Sequence, residues 1–95
     1  LNKMAELTSF NPARRYGLHS KGDIDVGLDA DLVLVDPNET WTIKSSESES
    51  GQGYTPFEGT ELRARVTTTF LRGNCIFDDH QILGEPSGRY LKRPY

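Results

Sequence analysis

The feature that most constrains the fold is the segment at residues 62–77, which reads LRARVTTTFLRGNCIF. Successive side chains of a β-strand point to opposite faces. One face would therefore carry Arg63, Arg65, Thr67 and Thr69, and the other Leu62, Ala64, Val66, Thr68 and Phe70. The pair Gly73-Asn74 is a favoured two-residue corner between antiparallel strands. The segment predicts a β-hairpin, and with it a mostly antiparallel sheet.

Further strands are predicted earlier in the chain, where residues 21–36 read KGDIDVGLDADLVLVD. Residues 23–26 alternate polar and apolar, which is typical of a half-buried strand, and residues 27–30 form a turn. The apolar run between Asp31 and Asp36 fits a strand covered on both faces. Pro37-Asn38 breaks this run, and residues 39–44 form a third strand with Trp41 and Ile43 on one face.

The first twenty residues favour helix instead. Apolar residues recur at helical spacing at the start of the chain; they are Leu1, Met4, Ala5 and Leu7. Asn11 is a favoured N-cap and Pro12 suits a first helical position, so we expect a second short helix over residues 12–16. Gly17 is placed to end it with a positive φ, and Leu18 to make the accompanying apolar contact.

The fold class that follows is mainly β with a short helical N-terminal part. We divide the chain into a helical region, residues 1–20, and a β region with a C-terminal tail, residues 21–95. The chain has 95 residues, begins at Leu1 without an initiator Met, and is 35% hydrophobic. We therefore expect it to be a fragment of a longer protein, because its core would be modest.

Net charge and cysteine content limit the classes of binding partner and the cellular compartment that we expect. The net charge of −3 argues against nucleic acid and anionic membranes. No apolar run approaches the roughly 20 residues of a membrane span. The single cysteine, Cys75, cannot form an internal disulfide and fits a reducing compartment, so we expect a cytoplasmic protein.

The paired aspartates Asp29 and Asp31 are the first candidates for chemistry. Two carboxylates can share acid and base roles. Aspartate also accepts hydrogen bonds from nearby backbone N–H groups and so favours turns. With Gly27 and Ala30 beside them, we favour the interpretation as a β corner over catalysis.

The other candidate residues favour structural roles. His19 and His80 belong to no HxH or HExxH spacing, and surface histidine is the better account of both. Cys75 lies in a strand with apolar neighbours, where an inert buried thiol is expected. The residues alone therefore predict no catalytic, cofactor-binding or metal-binding site in this chain.

Charged and aromatic residues leave three binding possibilities open. Arg14-Arg15 could bind a carboxylate or phosphate, although arginines beside a helix end more often interact with helix carbonyls or solvent. The basic residues of the tail, Arg89, Lys92 and Arg93, suggest contact with an acidic surface of another subunit. Three aromatic residues, Trp41, Tyr54 and Phe57, could stack on a ligand, but core and interface anchoring is favoured.

The order of these segments resembles the C-terminal end of cyclic amidohydrolases, the dihydroorotase, hydantoinase (dihydropyrimidinase) and allantoinase branches of the amidohydrolase superfamily. The motifs that carry the resemblance are NPAR followed by GL, KGxIxxGxDADLVLVD, WTI, YTPFEG, RVTTTFLRG and GRYLKRP, between residues 11 and 94. The GxIxxGxDAD block indicates only the superfamily. The YTPFEG motif together with the GRYLKRP end resembles the cyclic-amide branch within that superfamily. The serine-rich residues 45–53, expected to form a mobile surface loop, match no part of the pattern.

The resemblance implies that the catalytic residues and the present chain belong to different parts of a parent enzyme. The parent enzyme would be a TIM barrel that holds one or two divalent metals, zinc in the main expectation, and a metal-bound hydroxide would attack the cyclic amide. This chain would supply the last barrel helix region and most strands of a small composite β-sandwich. None of the family's metal or catalytic residues map onto these positions. The expected partners are the rest of the parent chain and further copies in a homo-oligomer.

Two hypotheses follow. In the first, the chain is the non-catalytic C-terminal part of a metal-dependent hydrolase of cyclic amide C–N bonds. In the second, it is a stand-alone β module that binds a partner through Trp41, Tyr54 and Phe57 and has no hydrolytic parent.

Overall fold

The computed structural model describes residues 1–93, so Pro94, the last residue of the GRYLKRP motif, lies outside the described residues. A helical segment opens the chain, and four antiparallel strands follow in the order β1-β2-β3-β4. The strands are β1 (Leu32–Thr42), β2 (Glu61–Leu71), β3 (Asn74–Asp78) and β4 (Gln81–Ile82). The predicted fold class, mainly β with a short helical N-terminal part, is confirmed.

The helical segment is continuous, and the prediction that Asn11 is the N-cap of a separate helix over residues 12–16 is wrong. Helix α1 (Asn2–Ala5) passes through a π-helical turn (Glu6–Phe10) into helix α2 (Asn11–Arg15). Asn11 itself has helical φ and ψ of −64° and −44°, and its N–H donates to the carbonyl of Glu6. A proline inside a regular helix clashes with the carbonyl four residues before it. The wider π turn precedes Pro12 and accommodates its ring without ending the helix.

The helix ends as the sequence predicts. Gly17 has a φ of 69°, and its N–H donates to the Arg14 carbonyl at 3.3 Å. The Leu18 N–H donates to the Ala13 carbonyl at 2.8 Å. These two bonds are the Schellman pattern, which satisfies the last carbonyls of a helix.

Strand β1 is longer than predicted, because Pro37-Asn38 does not break it. The pairing with β2 shifts register between Asp36 and Thr40, and the residues between them form a bulge. Proline is tolerated at a bulge because it has no N–H to place in the ladder. On the opposite strand Ala64 has a φ of 88°, a strained value for a residue other than glycine. The indole N–H of Trp41 donates to the Ala64 carbonyl at 2.9 Å and so holds this bend.

A second bulge, at Thr67 of β2, corrects the predicted face alternation. Val35 pairs with Val66 and Leu34 with Thr68, so Thr67 has no partner on β1. From this point the alternation of β2 is displaced by one residue. Val66 and Thr69 therefore share a face that the regular pattern assigns to opposite sides.

The β2–β3 hairpin exists as predicted, with its corner one residue earlier. Leu71 pairs with Asn74, so the two corner residues are Arg72 and Gly73, with φ of 47° and 82°. Their positive φ values match the type I′ turns favoured in two-residue hairpins. Asp79 and His80 form the next corner, between β3 and β4, with φ of 43° and 68°.

The predicted strand at residues 23–26 is wrong. These residues lie in a turn-rich loop between the helix and β1, and Ile24 and Val26 are 82% and 99% exposed. The carboxylates of Asp23 and Asp25 each accept a hydrogen bond from the next backbone N–H. The aspartates therefore accept hydrogen bonds from backbone N–H groups that a neighbouring strand would otherwise have paired. The turn expected over residues 27–30 lies two residues earlier, over residues 25–28, where the Leu28 N–H donates to the Asp25 carbonyl at 3.2 Å.

The loop packs closely on the helix at one glycine. A Cβ on Gly22, whose φ is 89°, would lie 2.5 Å from the Cβ of Ala13 and 2.7 Å from the Ser9 carbonyl oxygen. Ala13 is the one buried hydrophobic residue within the described range, with 5% of its surface exposed. The packed centre of the described chain therefore lies between the helix and this loop.

The apolar run of β1 is not covered on both faces as predicted. Val33, Leu34 and Val35 are 58%, 53% and 41% exposed. The core anchoring expected of Tyr54 and Phe57 is absent, because they are 69% and 62% exposed, before and within a turn at residues 56–59. Both faces of the sheet thus carry uncovered apolar surface in the described chain.

Residues 44–58 form a loop that is closed at its base. The Ile43 N–H donates to the Thr60 carbonyl and the Gly59 N–H to the Ile43 carbonyl, both at 2.9 Å. The Ser45 N–H donates to the Glu58 carboxylate at 2.7 Å. The loop, which includes the serine-rich residues 45–53, thus leaves the sheet and returns to it beside Ile43, the residue after β1.

The described residues contain no helix with the length and apolar character that crossing a bilayer requires.

Candidate functional site

The two aspartates singled out in the sequence meet at one lysine. The Lys21 ammonium lies 2.9 Å from Oδ2 of Asp29 and also forms an ion pair with Oδ2 of Asp31. The Ser20 hydroxyl donates to the Asp29 carboxylate at 3.1 Å. Only 16% of the Lys21 side chain is exposed, so the cation is held between the two acids.

The same corner also binds the tip of the β2–β3 hairpin. The Arg72 N–H donates to Oδ1 of Asp31 at 2.8 Å, and the Gly73 N–H donates to the Ala30 carbonyl at 2.9 Å. We name the group of Lys21, Asp29 and Asp31, with Ser20 and the Arg72 N–H, the Lys21 clip. It joins the loop after the helix, the start of β1 and the hairpin tip.

The clip shifts the ionisation of its members in opposite directions. Hydrogen bonds to Asp31 and Asp29 raise the pKa of Lys21. The bond from Lys21 lowers the pKa of Asp29, and the Ser20 hydroxyl lowers it further. Lys21, followed by the Arg72 N–H, lowers the pKa of Asp31. A general acid or base works best with a pKa near the operating pH, and both carboxylates are moved away from it.

The described residues do not offer a metal site. No group of three or more His, Cys, Asp or Glu residues between residues 1 and 93 is arranged to hold a metal ion. Asp29 and Asp31 form a carboxylate pair, but the Lys21 ammonium already occupies the position where a cation would bind. These residues therefore do not fit the divalent metal that the family resemblance implies for a parent enzyme.

A second polar cluster forms around Arg65, which sequence reasoning had placed only on a strand face. Its guanidinium lies 3.5 Å from the Glu39 carboxylate and 5.1 Å from the centre of the Trp41 ring. Its Nη2 donates to Nδ1 of His80 at 2.7 Å. We name these four residues the Arg65 cluster. The bulge in β1 brings Glu39 to it, and the β3–β4 corner brings His80.

The remaining candidates are dispersed. Cys75 is half-buried, not buried as expected, and its Sγ lies 3.5 Å from the Phe77 carbonyl oxygen. His19 is exposed at the helix end. The Arg14 guanidinium stacks 4.8 Å from the ring of Phe10. Neither histidine lies beside the acidic corner, and the cysteine lies in β3.

The tail returns to its own chain within the described range. The Arg93 guanidinium lies 5.5 Å from the centre of the Tyr16 ring, and Arg72 donates to the Ser87 carbonyl. Arg93 therefore has a partner on the helix end, where the sequence suggested a surface of another subunit. Tyr90 is 92% exposed.

The three aromatic residues of the binding hypothesis do not form one surface. Trp41 lines an open groove of about 560 Å³ on the sheet, together with Ile43, Val66, Thr69 and Phe77. Tyr54 and Phe57 lie outside the residues that line it. The groove is mostly apolar and includes residues of β1, β2 and β3.

Comparison with known proteins assigns the family. The model of the amidohydrolase family matches residues 1–76. The chain belongs to this family. The predicted resemblance is confirmed.

Individual family members match almost the whole chain. An allantoinase of Rubrobacter xylanophilus is 38% identical over 95% of the chain, and a dihydroorotase of Pyrococcus abyssi is 40% identical over 93%. A solved structure of a D-hydantoinase superposes with a TM-score of 0.93, at 37% identity over 98% of the chain. The chain is therefore similar to all three branches of cyclic amidohydrolases, and these names do not single out one of them.

The chain spans about a fifth of the length of these relatives. It covers 20% of the allantoinase, 22% of the dihydroorotase and 21% of the D-hydantoinase chain.

Two functional features escaped sequence reasoning. Lys21 was not recognised as the partner of both aspartates, and Arg65 was not recognised as the centre of a polar cluster. The sequence signal for Lys21 is that it begins the KGxIxxGxDADLVLVD motif, which also contains Asp29 and Asp31. Arg65 carries no comparable local signal, because the bulge at residues 37–39 and the β3–β4 corner create its contacts.

Proposed function

We propose that this chain is the C-terminal, non-catalytic part of a metal-dependent hydrolase that opens the C–N bond of a cyclic amide. The observation that carries the proposal is the match of nearly the whole chain to about a fifth of an allantoinase, a dihydroorotase and a D-hydantoinase. The candidate ring substrates are those that the names of these relatives indicate: allantoin, dihydroorotate and hydantoin.

In this proposal the chain is a scaffold. The Lys21 clip holds its two aspartates in ion pairs, which suits a structural corner better than proton transfer. The exposed apolar residues of β1 would pack against the rest of the longer protein, as part of a small β-sandwich beside a TIM barrel. The boundary between residues 1–20 and 21–95 stays a prediction; Ser20 and Lys21, on its two sides, both bind Asp29.

The metal, with zinc as the expected ion, belongs in this proposal to the remainder of the longer protein. When bound there it would supply a nucleophilic hydroxide at neutral pH. The contribution of the present chain is to hold the acidic corner and the sheet in a fixed arrangement. A cytoplasmic location and a homo-oligomeric assembly complete the proposal; the single cysteine supports the former.

The decisive experiment uses the complete reading frame that contains this chain. The purified full-length protein, loaded with zinc, should hydrolyse at least one of dihydroorotate, hydantoin and allantoin. The 95-residue chain assayed alone should hydrolyse none of them. Activity of the short chain by itself would overturn the scaffold role. A full-length protein that is inactive on all three rings would overturn the hydrolase assignment and favour the alternative, a β module that binds a partner.

A further inference from the structure

The contact between Arg65 and His80 fixes the protonation of the histidine ring. An arginine guanidinium has five N–H donors and no acceptor, and it stays protonated in proteins. With Nη2 of Arg65 at 2.7 Å from Nδ1 of His80, the ring nitrogen must be the acceptor. The ring is therefore neutral in this contact, and its proton is on Nε2.

The charged groups around the ring come from every neighbouring element. Arg65 lies on β2, and Glu39, in the bulge of β1, pairs with it at 3.5 Å. The Asp79 carboxylate lies 3.8 Å from Nε2 of His80. Asp78, at the end of β3, accepts a bond from the Thr68 hydroxyl at 3.0 Å. A small cavity of about 80 Å³ is lined by these acids, Arg65 and His80.

The corner that carries His80 has a strained backbone and a short strand after it. Asp79 and His80 both have positive φ without being glycine, which costs conformational energy. Strand β4 is only two residues long and pairs through Phe77 with Ile82 and Asp78 with Gln81. The Asp79 N–H donates to the Thr67 carbonyl at 3.1 Å and ties the backbone of the corner to β2. The hydrogen bond from Arg65 adds a side-chain tie between β2 and His80.

We propose that the Arg65–His80 contact is a pH-sensitive latch on the β3–β4 corner. When His80 is protonated, Nδ1 carries a hydrogen that faces the N–H donors of Arg65, so the bond breaks and two positive charges meet. Arg65 keeps Glu39 and the Trp41 ring, while the charged imidazole turns toward Asp79. The corner and β4 then open more often. Acidification adds the proton, so a lower pH favours the released corner. This inference does not depend on the proposed hydrolase function.

The test is hydrogen–deuterium exchange of the full-length protein, followed by mass spectrometry of peptides that cover residues 74–83. After correction for the intrinsic effect of pH on exchange, lowering the pH from about 7.5 to about 5.5 should speed uptake roughly two- to ten-fold, the worth of one hydrogen bond. Peptides from residues 32–36 should show no comparable change.

The matched variant is His80→Asn, which tolerates the left-handed backbone, offers a side-chain oxygen to Arg65 and does not titrate in this range. Its uptake at residues 74–83 should stay slow at both pH values. Equal acceleration in wild type and His80→Asn, or no acceleration in wild type, would overturn the latch. A nitrogen-15 spectrum that places the His80 proton on Nδ1 at pH 7.5 would overturn it independently of any variant.

Discussion

At the scale of single residues, Lys21 connects segments that are distant in the sequence, which amino-acid composition does not indicate. Its ammonium joins two carboxylates that lie eight and ten positions later in the chain, and one of these also holds the hairpin tip. Breaking a partly buried ion pair leaves the remaining charges uncompensated, which costs more than losing an exposed pair.

We predict that Lys21→Met destabilises the protein. The free energy of unfolding should fall by about 1 to 2 kcal/mol, because Asp29 and Asp31 lose the donor they share. Urea denaturation followed by circular dichroism measures the change. Lys3→Met is the matched control, since Lys3 is 79% exposed and pairs only with Glu6 within the helix. Its effect should stay within about 0.5 kcal/mol, and equal effects of the two substitutions would contradict the special role of Lys21.

The clip also predicts how stability depends on pH. The folded pKa values of Asp29 and Asp31 lie below their ordinary value of 3.8, so their contribution is present above that pH and is lost as the pH falls through the lowered values. The pKa of Lys21 lies above its ordinary value of 10.5, so its contribution is present below that pH and is lost as the pH rises through the raised value.

The difference in unfolding free energy between wild type and Lys21→Met should therefore be constant between about pH 5 and about pH 9 and should shrink in stronger acid. Denaturation curves of both proteins at several pH values measure it. A difference that changes sharply near neutral pH would show that other titrating groups control the corner.

At the scale of elements, the contact between the helix and its following loop depends on the absence of one side chain. Gly22 and Gly27 have nearly equal φ, 89° and 90°, but only Gly22 meets other atoms where a Cβ would be placed. Substituting each glycine thus separates the free-energy cost of a left-handed backbone from the cost of steric overlap with neighbouring atoms.

We predict that Gly22→Ala is much more destabilising than Gly27→Ala. Both substitutions should cost about 1 to 2 kcal/mol for the left-handed backbone. Gly22→Ala should cost about 1 to 3 kcal/mol more, because its methyl group overlaps Ala13 and the Ser9 carbonyl oxygen. Thermal denaturation of the two variants measures the difference, and equal melting temperatures would show that the helix does not pack on this loop.

Elements whose partners lie close in sequence were predicted well. The β2–β3 hairpin and the helix end at Gly17 depend on neighbouring residues, so local patterns were sufficient, with an error of one residue at the corner. The strand at residues 23–26 failed because alternation indicates which side chains share a face but cannot supply a partner strand. The break at Pro37 and the cap at Asn11 failed because a bulge and a π turn accommodate what a regular element excludes.

The polar clusters, too, could be predicted from local sequence patterns only in part. Asp29 and Asp31 were correctly placed at a corner, since aspartate beside glycine favours turns. Their pairing with Lys21 and the contact of Arg65 with His80 arise from chain reversals that no local pattern encodes. Family resemblance predicted neither pairing. It predicted the family, because the order of whole motifs identifies relatives even where each motif alone is weak.

At the scale of the whole molecule, apolar surface is exposed well beyond single residues. Val33, Leu34 and Val35 are each more than 40% exposed on β1, which is an edge of the sheet. Edge strands with apolar side chains are ready templates for association.

We therefore predict that the 95-residue chain, expressed alone, self-associates. Light scattering coupled to size-exclusion chromatography should show oligomers or aggregates at micromolar concentration, because uncovered apolar faces pack on one another. If the proposed function is right, the remainder of a longer protein would cover β1, and that complete protein should elute as a defined species. A monodisperse short chain with a cooperative thermal transition would contradict this prediction.

The loop over residues 44–58 departs from the sheet and rejoins it through bonds on Ile43 and Ser45, so its two ends are held together whatever lies between them. Its outermost part, around Ser50 and Gln52, is exposed and carries no strand pairing. Exposed loop tips of this kind accept inserted sequence. An affinity tag or a fluorophore-binding peptide placed there gives experimenters a handle on the protein that leaves the ladder of β1 and β2 untouched.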